Sequence, residues 1–294
     1  MTHRPIDPTP IAPVAFAAFD LVRASARAAV APDLHALARA RIATLLGIAA
    51  PGGSGAAREQ IAALPSWPSS PLFGERERAS LAFAEQFVLD VSGTTDAQRT
   101  ALTQALYAID FELRLRAAFT ALLGADPLPL DPVAQPEKLW PALEVMMPEI
   151  ARLTALDPMT TELIRLRGAR AHQCRLCNSL RNVRAVEAGG SESFFAQIDA
   201  YEQSDLAEPH KVALRLVDAL LWRPGDFPTG LAAQVQAHYA PAQIVEIVLD
   251  VTRNALNKFA VAMGVDGIGV GDDIGYYDTD ERGELVYGLT PRVA

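Results

Sequence analysis

The stretch Asp157–Gly190, DPMTTELIRLRGARAHQCRLCNSLRNVRAVEAGG, carries the clearest structural and chemical signals of the sequence. It holds the two cysteines of the chain, Cys174 and Cys177, in a C-x-x-C spacing, and Glu162 lies twelve residues before the first of them. Asp157 followed by proline is typical of a helix start, because aspartate caps free backbone N–H groups and proline fits the first turn. The stretch therefore predicts a helix, followed by a cysteine-bearing helix that stops at Gly189-Gly190.

The C-x-x-C spacing places both sulfurs on one face of a helix. If the first cysteine lies at a helix N-terminus, the free N–H groups and the helix dipole favour its thiolate form. A thiolate beside a resolving thiol can reduce a peroxide and then form a disulfide with that thiol. Two other interpretations stay open. The cysteines can be small core residues, or they can belong to a structural zinc site, which needs four ligands and so would need His172 and another histidine.

The amino-acid composition and net charge indicate the fold class and argue against some kinds of binding partner. The 294 residues are 50% apolar and 21% charged, as in globular proteins, and the abundance of alanine and leucine favours an all-α fold. The net charge of −9 argues against nucleic-acid and anionic-membrane partners. The sequence shows neither a secretory signal nor an apolar run long enough to span a membrane, so we expect a cytoplasmic protein. Nothing in the sequence indicates a cofactor or a bound metal.

Helical patterns, interrupted by proline and glycine, fill most of the chain. They predict helices over 14–30, 33–48, 75–90, 95–123 with a break near Tyr107, 209–222, 228–239 and 241–263. The segment Pro51-Gly52-Gly53-Ser54-Gly55 is predicted to end or interrupt the second of these helices. Residues 127–156 are predicted to be a proline-rich linker. The tail, 267–294, contains YYDTDERGELVY, which is typical of a small hairpin or an ordered arm.

An internal repeat divides the chain in two. Leu37, Arg39 and Arg41 align with Leu163, Arg165 and Arg167, and further matched blocks follow, among them Glu85 with Asp218 and Phe119 with Phe259. We therefore predict a first helical repeat at 1–126 and a second, cysteine-bearing repeat at 157–266. The first repeat is degenerate, because other residues replace the Glu162, Cys174, Cys177 and Arg181 of the second, namely Ala36, Ile48, Pro51 and Gly55.

The pattern Glu162-x11-Cys174-x-x-Cys177 resembles the motif of the alkylhydroperoxidase (AhpD-like) and carboxymuconolactone decarboxylase superfamily. The stretches PSSPLFGERERASLAFAEQ and PAQIVEIVLDVTRNALNKFAVAMGV are similar to later helices of that superfamily. The resemblance covers most of both repeats. It implies two tandem AhpD-like helical repeats that assemble into a homo-oligomer.

The resemblance also implies roles for individual residues. Cys177 would attack the peroxide, Cys174 would resolve the intermediate and Glu162 would relay a proton. The motif continues with histidine, whereas this chain has Arg181 at that position. Arginine cannot accept a proton, but it can hold a thiolate or a carboxylate by charge. We expect Arg181 to share a helix face with Cys177, which lies four residues earlier.

These observations predict a peroxidase-like thiol oxidoreductase that reduces hydrogen peroxide or organic hydroperoxides, with a dithiol or a protein as its reductant. A protein thiol–disulfide oxidoreductase is the enzymatic alternative. A non-catalytic helical assembly or binding protein with core cysteines is the alternative from another class. The decarboxylases of the superfamily act without such a cysteine pair, which argues against lactone decarboxylation here.

Overall fold

The computed structural model describes residues 4–49, 56–99, 102–267, 271 and 273–292. These residues are predominantly helical, which confirms the predicted all-α class. The helices before the predicted linker are α1 Pro13–Ala29, α2 Pro32–Leu45, α3 Ala56–Ala63, α4 Glu75–Leu89 and α5 Thr103–Leu123. Among all the residues that the structure describes, no helix has both the length and the apolar character needed to cross a membrane.

The later part of the chain adds further helices and a small sheet. Its helices are α6 Leu139–Ala151, α7 Pro158–Ala171, α8 Arg175–Asn178, α9 Val183–Glu187, α10 Glu192–Ala196, α11 Glu208–Trp222, α12 Leu231–His238, α13 Pro241–Asn254 and α14 Asn257–Ala262. The strands are β1 Leu180–Asn182, β2 Gly275–Thr279 and β3 Leu285–Tyr287, in the order β1-β2-β3. β2 is parallel to β1 and antiparallel to β3, so YYDTDERGELVY does form the expected hairpin, and the hairpin pairs with the chain just after the cysteines.

Helix α13 lies at the centre of the molecule, in contact with α5, α6, α7 and α11. It is buried continuously from Ile244 to Arg253, so its β-branched run is a buried helix and not a strand, as the sequence predicted. The Tyr107 hydroxyl of α5 donates to the Thr252 carbonyl at 2.6 Å. The predicted helix over 241–263 is interrupted after Asn254 by a two-residue turn, and α14 begins at Asn257.

Two other predicted boundaries were wrong. The segment over 95–123 begins with a 3-10 turn at Asp96–Gln98, and α5 then runs through Tyr107 without a break. The predicted linker 127–156 contains α6, in which Pro141 falls in the first turn, where a missing N–H is tolerated, and Pro148 lies inside the helix. The buried residues of α6 follow a helical stripe against the core, namely Leu139, Ala142, Leu143, Met146 and Ile150. The predicted interruption at Pro51–Gly55 lies outside the described residues.

Residues that the internal repeat aligns make equivalent contacts in the two halves. Arg41 pairs with Glu85 at 2.5 Å, and the aligned Arg167 pairs with Asp218 at 2.6 Å. Each carboxylate also accepts a hydrogen bond from an aromatic side chain, at 2.6 Å from Trp67 Nε1 and at 2.8 Å from the Tyr201 hydroxyl. These contacts support the duplication, and the boundaries proposed for the two repeats stay a prediction.

The hairpin of β2 and β3 is held against α6 by its turn. Gly283 in that turn has a φ of +82°, which favours glycine, and a Cβ atom at this position would overlap the Pro148 carbonyl of α6. β1 holds the other edge of the hairpin, with Arg181 in register with Tyr276. The hairpin therefore joins α6 to the segment that follows the cysteines.

A buried cluster of charges ties α5 to the second half. Asp110, with no exposed side-chain surface, accepts from Arg114 Nε at 2.7 Å and from Lys258 Nζ at 2.8 Å. Arg114 also donates to the carbonyls of Leu220 and Leu221 at the end of α11. Burial opposes ionisation of Asp110, but the two cations outweigh it and lower the pKa of this carboxyl.

Substitution of Asp110 tests this cluster. Asp110→Asn should lower the free energy of unfolding by about 3–5 kcal/mol, because it leaves two buried cations without their counter-charge. Urea denaturation followed by circular dichroism measures the loss. Asp131→Asn is the control, since Asp131 pairs with Arg27 at the surface and its side chain is 79% exposed. An Asp110 variant as stable as this control would contradict the assigned role.

The pH dependence of stability tests the burial of Asp250 on α13. Burial raises the pKa of Asp250 from its ordinary value of 3.8 to about 7. Between about pH 4 and pH 7 the unfolded chain therefore releases a proton that the folded chain keeps, and stability falls as the pH rises. Asp250→Asn should flatten this part of the profile and be more stable than the parent at pH 8. Urea unfolding at pH 5 and pH 8 measures the difference, and parallel profiles would contradict the shift.

Candidate functional site

The cysteine pair lies at a sharp turn after α7. Gln173 has a φ of +55°, an uncommon left-handed conformation for a residue with a side chain, and it turns the chain into Cys174, the N-cap of α8. Cys174 and Cys177 form a disulfide with a Cα–Cα distance of 5.3 Å. The Cys177 N–H donates to Cys174 Sγ at 3.2 Å. This donor lies where it would stabilise a thiolate on Cys174 in the reduced protein.

The two sulfurs differ in access. Cys174 is 1% exposed and belongs to the main core, whereas Cys177 is only partly buried at its edge. Both line a cavity of about 280 Å³. A molecule that enters the cavity can therefore reach Cys177 more readily than Cys174.

The cavity is walled mainly by apolar side chains from both ends of the second half. The apolar lining residues come from α6 (Trp140 and Met147), α8 (Leu176), β1 (Leu180), α14 and the residues on either side of it (Leu256, Phe259 and Val265) and the hairpin (Leu285). Its polar lining residues are Arg165, Arg253, Asn254, Asn257, Asp266, Tyr277 and Tyr287. Among the described residues there is no group of three or more candidate side chains that would hold a metal ion.

Glu162 lies beneath this cavity rather than in its wall. It is 1% exposed on α7 and binds Arg165 through both carboxylate oxygens, each at 2.7 Å. The Asn182 N–H and the Tyr277 hydroxyl also donate to it, at 3.2 and 3.3 Å. The carboxylate therefore connects to the cavity only through Arg165 and Tyr277, which both line it. Of these two residues, only Tyr277 carries a hydroxyl group.

Arg165 connects Glu162 to the cysteine turn. Its guanidinium donates to the Cys177 carbonyl at 2.8 Å and to the Leu180 carbonyl at 2.7 Å, in addition to the pair with Glu162. Its Cζ atom lies 5.3 Å from the centre of the Tyr277 ring. One buried cation thus fixes the backbone that follows Cys177 and the ring that faces the cavity.

Tyr277 was missed from the sequence. Burial, together with the charge of Glu162, raises the pKa of this phenol against the opposing effect of Arg165, so the hydroxyl keeps its proton at neutral pH. The hairpin that carries it was predicted, but no local pattern connects β2 to cysteines that lie so far away in the sequence.

Arg181 does not face the cysteines. Helix α8 ends at Asn178, so Arg181 lies on β1 and the expected shared helix face with Cys177 was wrong. Its guanidinium binds both oxygens of Glu192, at 2.7 and 2.8 Å, and donates to the Asn178 carbonyl at 2.7 Å. Arg181 therefore stabilises the turn after the pair and makes no hydrogen bond with Glu162.

His172 faces a different cavity, of about 160 Å³, together with Arg114 and Lys258. Its Nδ1 is 2.8 Å from Asn257 Oδ1. Burial and, to a lesser extent, the charge of Lys258 lower the pKa of His172 to about 3, so the ring is neutral at physiological pH. It does not replace the histidine of the motif beside the cysteines.

The first half presents no counterpart of this chemistry. Ile48, at the position of Cys174, packs against the main core, and Pro51 and Gly55, opposite Cys177 and Arg181, lie outside the described residues. With both cysteines in the second half, the chain holds one cysteine pair.

Comparison with known proteins yields relatives without an assigned activity. The uncharacterized protein YdfG of Bacillus subtilis is 27% identical over 121 residues, which cover 40% of this chain and 82% of that protein. No family model and no solved structure matches the chain. The uncharacterized protein Rv2313c of Mycobacterium tuberculosis, and its counterpart in a second strain, are each 37% identical over 247 residues, 76% of this chain and 87% of the relative. This chain belongs to the same protein family as these two mycobacterial proteins.

Proposed function

We propose that this protein is a thiol-dependent oxidoreductase that reduces hydrogen peroxide or an organic hydroperoxide with Cys174 and Cys177. The observation that carries the proposal is a disulfide in the wall of a largely apolar cavity, with one sulfur buried and the other partly exposed. A purely structural disulfide has no need of a cavity beside it. A recessed cavity of this size also suits a small substrate better than the flat surface of a protein.

Cys177 is the attacking residue in this proposal, because it is the sulfur that a molecule in the cavity reaches. Its thiolate forms an S–O bond with the outer oxygen of the hydroperoxide, and the O–O bond breaks. The leaving oxygen takes a proton from the Tyr277 hydroxyl and departs as an alcohol, or as water when the substrate is hydrogen peroxide. Cys177 is left as a sulfenic acid.

Cys174 resolves this intermediate. Its thiol returns a proton to Tyr277, and the resulting thiolate, which accepts the Cys177 N–H, attacks the Cys177 sulfur. The S–S bond forms and the S–O bond breaks, and the hydroxide leaves as water with the proton released when the Cys177 thiol ionised. A dithiol, free or on a protein, then supplies two electrons to reduce the disulfide.

Glu162 and Arg181 have supporting roles in this scheme. Glu162 accepts from Tyr277 and so fixes the position of that hydroxyl. In this scheme the hydroxyl turns from Glu162 to the leaving oxygen when it donates its proton, which places Tyr277 between Glu162 and the substrate in the proton relay. Arg181 fixes the Asn178 carbonyl and, through it, the end of the cysteine turn. The homo-oligomer implied by the family resemblance stays a prediction.

The two sulfurs are separated by single substitutions. With hydrogen peroxide, Cys174→Ser should accumulate a sulfenic acid on Cys177, whereas Cys177→Ser should react at least about tenfold more slowly, because its remaining sulfur is buried. Trapping with dimedone followed by mass spectrometry measures both rates, and dithiothreitol-dependent peroxide consumption measures turnover in the parent. Equal rates, or a faster Cys177→Ser, would contradict the assigned roles.

Two further results of the same experiment would favour the alternatives. If both thiols of the parent stay unmodified under oxidants that titrate exposed cysteine, the pair is a core element. If the disulfide exchanges readily with protein dithiols but the reduced protein ignores peroxides, the protein thiol–disulfide oxidoreductase is the better assignment.

The relay is tested at Tyr277. Tyr277→Phe should slow peroxide turnover by at least about tenfold, because the leaving oxygen loses its proton donor. The rate at which iodoacetamide alkylates Cys177 should stay as in the parent, which separates loss of the proton from collapse of the site. Tyr276→Phe, on the neighbouring position of the same strand, is the matched control. Equal turnover in the two variants would remove Tyr277 from the mechanism.

A further inference from the structure

The cavity beside the disulfide contains a buried arginine without a partner. Arg253, in the last turn of α13, is 8% exposed, and its guanidinium makes no hydrogen bond or ion pair with any residue that the structure describes. Its Nε atom is fully buried and unsatisfied. By contrast, Arg165 in the same cavity is bound by Glu162 and by two carbonyls.

None of the carboxylates described around the cavity forms an ion pair with Arg253. Asp266 is engaged by Arg175 at 3.0 Å, and Glu162 by Arg165. Asp250 lies one turn before Arg253 on α13 without an ion pair to it, and burial raises the pKa of Asp250 to about 7 although the charge of Arg253 opposes this shift. The Arg253 guanidinium therefore faces the cavity without a carboxylate in direct contact.

An unpaired buried guanidinium costs stability, since it loses its hydration without gaining a counter-ion. Arg253 also lines an adjoining cavity of about 530 Å³, whose acidic residues are Glu144 and Glu284. Glu144 accepts from Trp140 Nε1 at 2.8 Å and forms no ion pair with Arg253. The Arg253 guanidinium thus borders both cavities, and it offers unpaired N–H donors in the same largely apolar cavity that Cys177 lines.

We propose that Arg253 binds the carboxylate of an organic acid whose apolar body lies on Trp140, Leu176 and Phe259. Resting on the proposed function, this makes the preferred substrate an organic hydroperoxide that carries a carboxylate, with its peroxide group at Cys177. A planar guanidinium suits a carboxylate, because it offers two parallel N–H donors to the two oxygens.

Binding is tested without catalysis, on the oxidised protein, with octanoate and its uncharged analogue 1-octanol. The quenching or shift of tryptophan fluorescence, to which Trp140 in the cavity wall contributes, and isothermal titration calorimetry give the two dissociation constants. Octanoate should bind about tenfold more tightly than octanol, the factor expected of one charge-assisted hydrogen-bonded pair. In Arg253→Met the preference should disappear while octanol binds as before.

Two further variants keep the result interpretable. Arg223→Met removes the same charge from an exposed arginine that pairs with Asp226, and it should keep the octanoate preference. Arg253→Lys keeps the cation, so it should keep part of the preference, and it replaces the methionine variant if that chain does not fold. Equal binding of octanoate and octanol to the parent, or an equal loss of both in the Arg253 variants, would overturn the proposal.

Turnover provides the arm that separates this inference from the proposed function. Reduction of linoleic acid hydroperoxide should be favoured over that of cumene hydroperoxide, and Arg253→Met should raise the KM for the acid alone. Octanoate preference in a protein that reduces neither compound would refute the peroxidase while leaving the carboxylate site. Reduction of both compounds without any dependence on Arg253 would refute the carboxylate site while leaving the peroxidase.

Discussion

The arrangement around the cysteines depends on the buried ion pair between Glu162 and Arg165. Both residues lie on α7, three positions apart, and their bidentate contact leaves the other N–H groups of the guanidinium free for further acceptors. Arg165 uses these N–H groups to bind the carbonyls of Cys177 and Leu180. A helix side chain thus fixes the path of a non-helical segment. Without Arg165, the Cys177 carbonyl would lose its donor, whereas the Leu180 carbonyl would keep the hydrogen bond from Arg181.

A pair of this kind contributes geometry more than stability. Desolvation of two charges offsets most of their attraction, so buried ion pairs persist where position matters. Here the pair also accepts the Tyr277 hydroxyl and lies under its ring. The same pair therefore positions the cysteine turn and the hairpin, which come from distant parts of the sequence. The redox chemistry that we propose for the disulfide needs both to stay in place while the sulfurs change their bonding.

Local signals in the sequence predicted what local forces determine. The cap at Asp157, the buried run of α13 and the C-x-x-C pair are read from neighbouring residues, and the structure has a helix start, a buried helix and a disulfide at those places. Helix α6 was missed because its prolines resemble those of a linker. Arg181 was misplaced because spacing along a helix says nothing once the helix has ended.

The remaining site residues could not be found by such reasoning. Tyr277 and Arg253 belong to the candidate site only because the fold brings them to the cysteines, and a single sequence carries no record of such distant contacts. The duplication was accessible, since aligned residues need no knowledge of contacts. It then gained support from the paired contacts at Glu85 and Asp218.

The hairpin has a consequence for the order in which the site is assembled. Because β2 and β3 lie downstream of the cysteines, a ribosome releases α7 and the C-x-x-C turn well before the strands that wall the cavity. During that interval both thiols stand open to solvent and to any oxidase or reductase in the cell. Disulfide formation can therefore precede the existence of a selective site, and the chemistry of the nascent chain is not that of the finished protein. Once the hairpin turn at Gly283 packs against Pro148, the folded structure controls which molecules reach the two sulfurs.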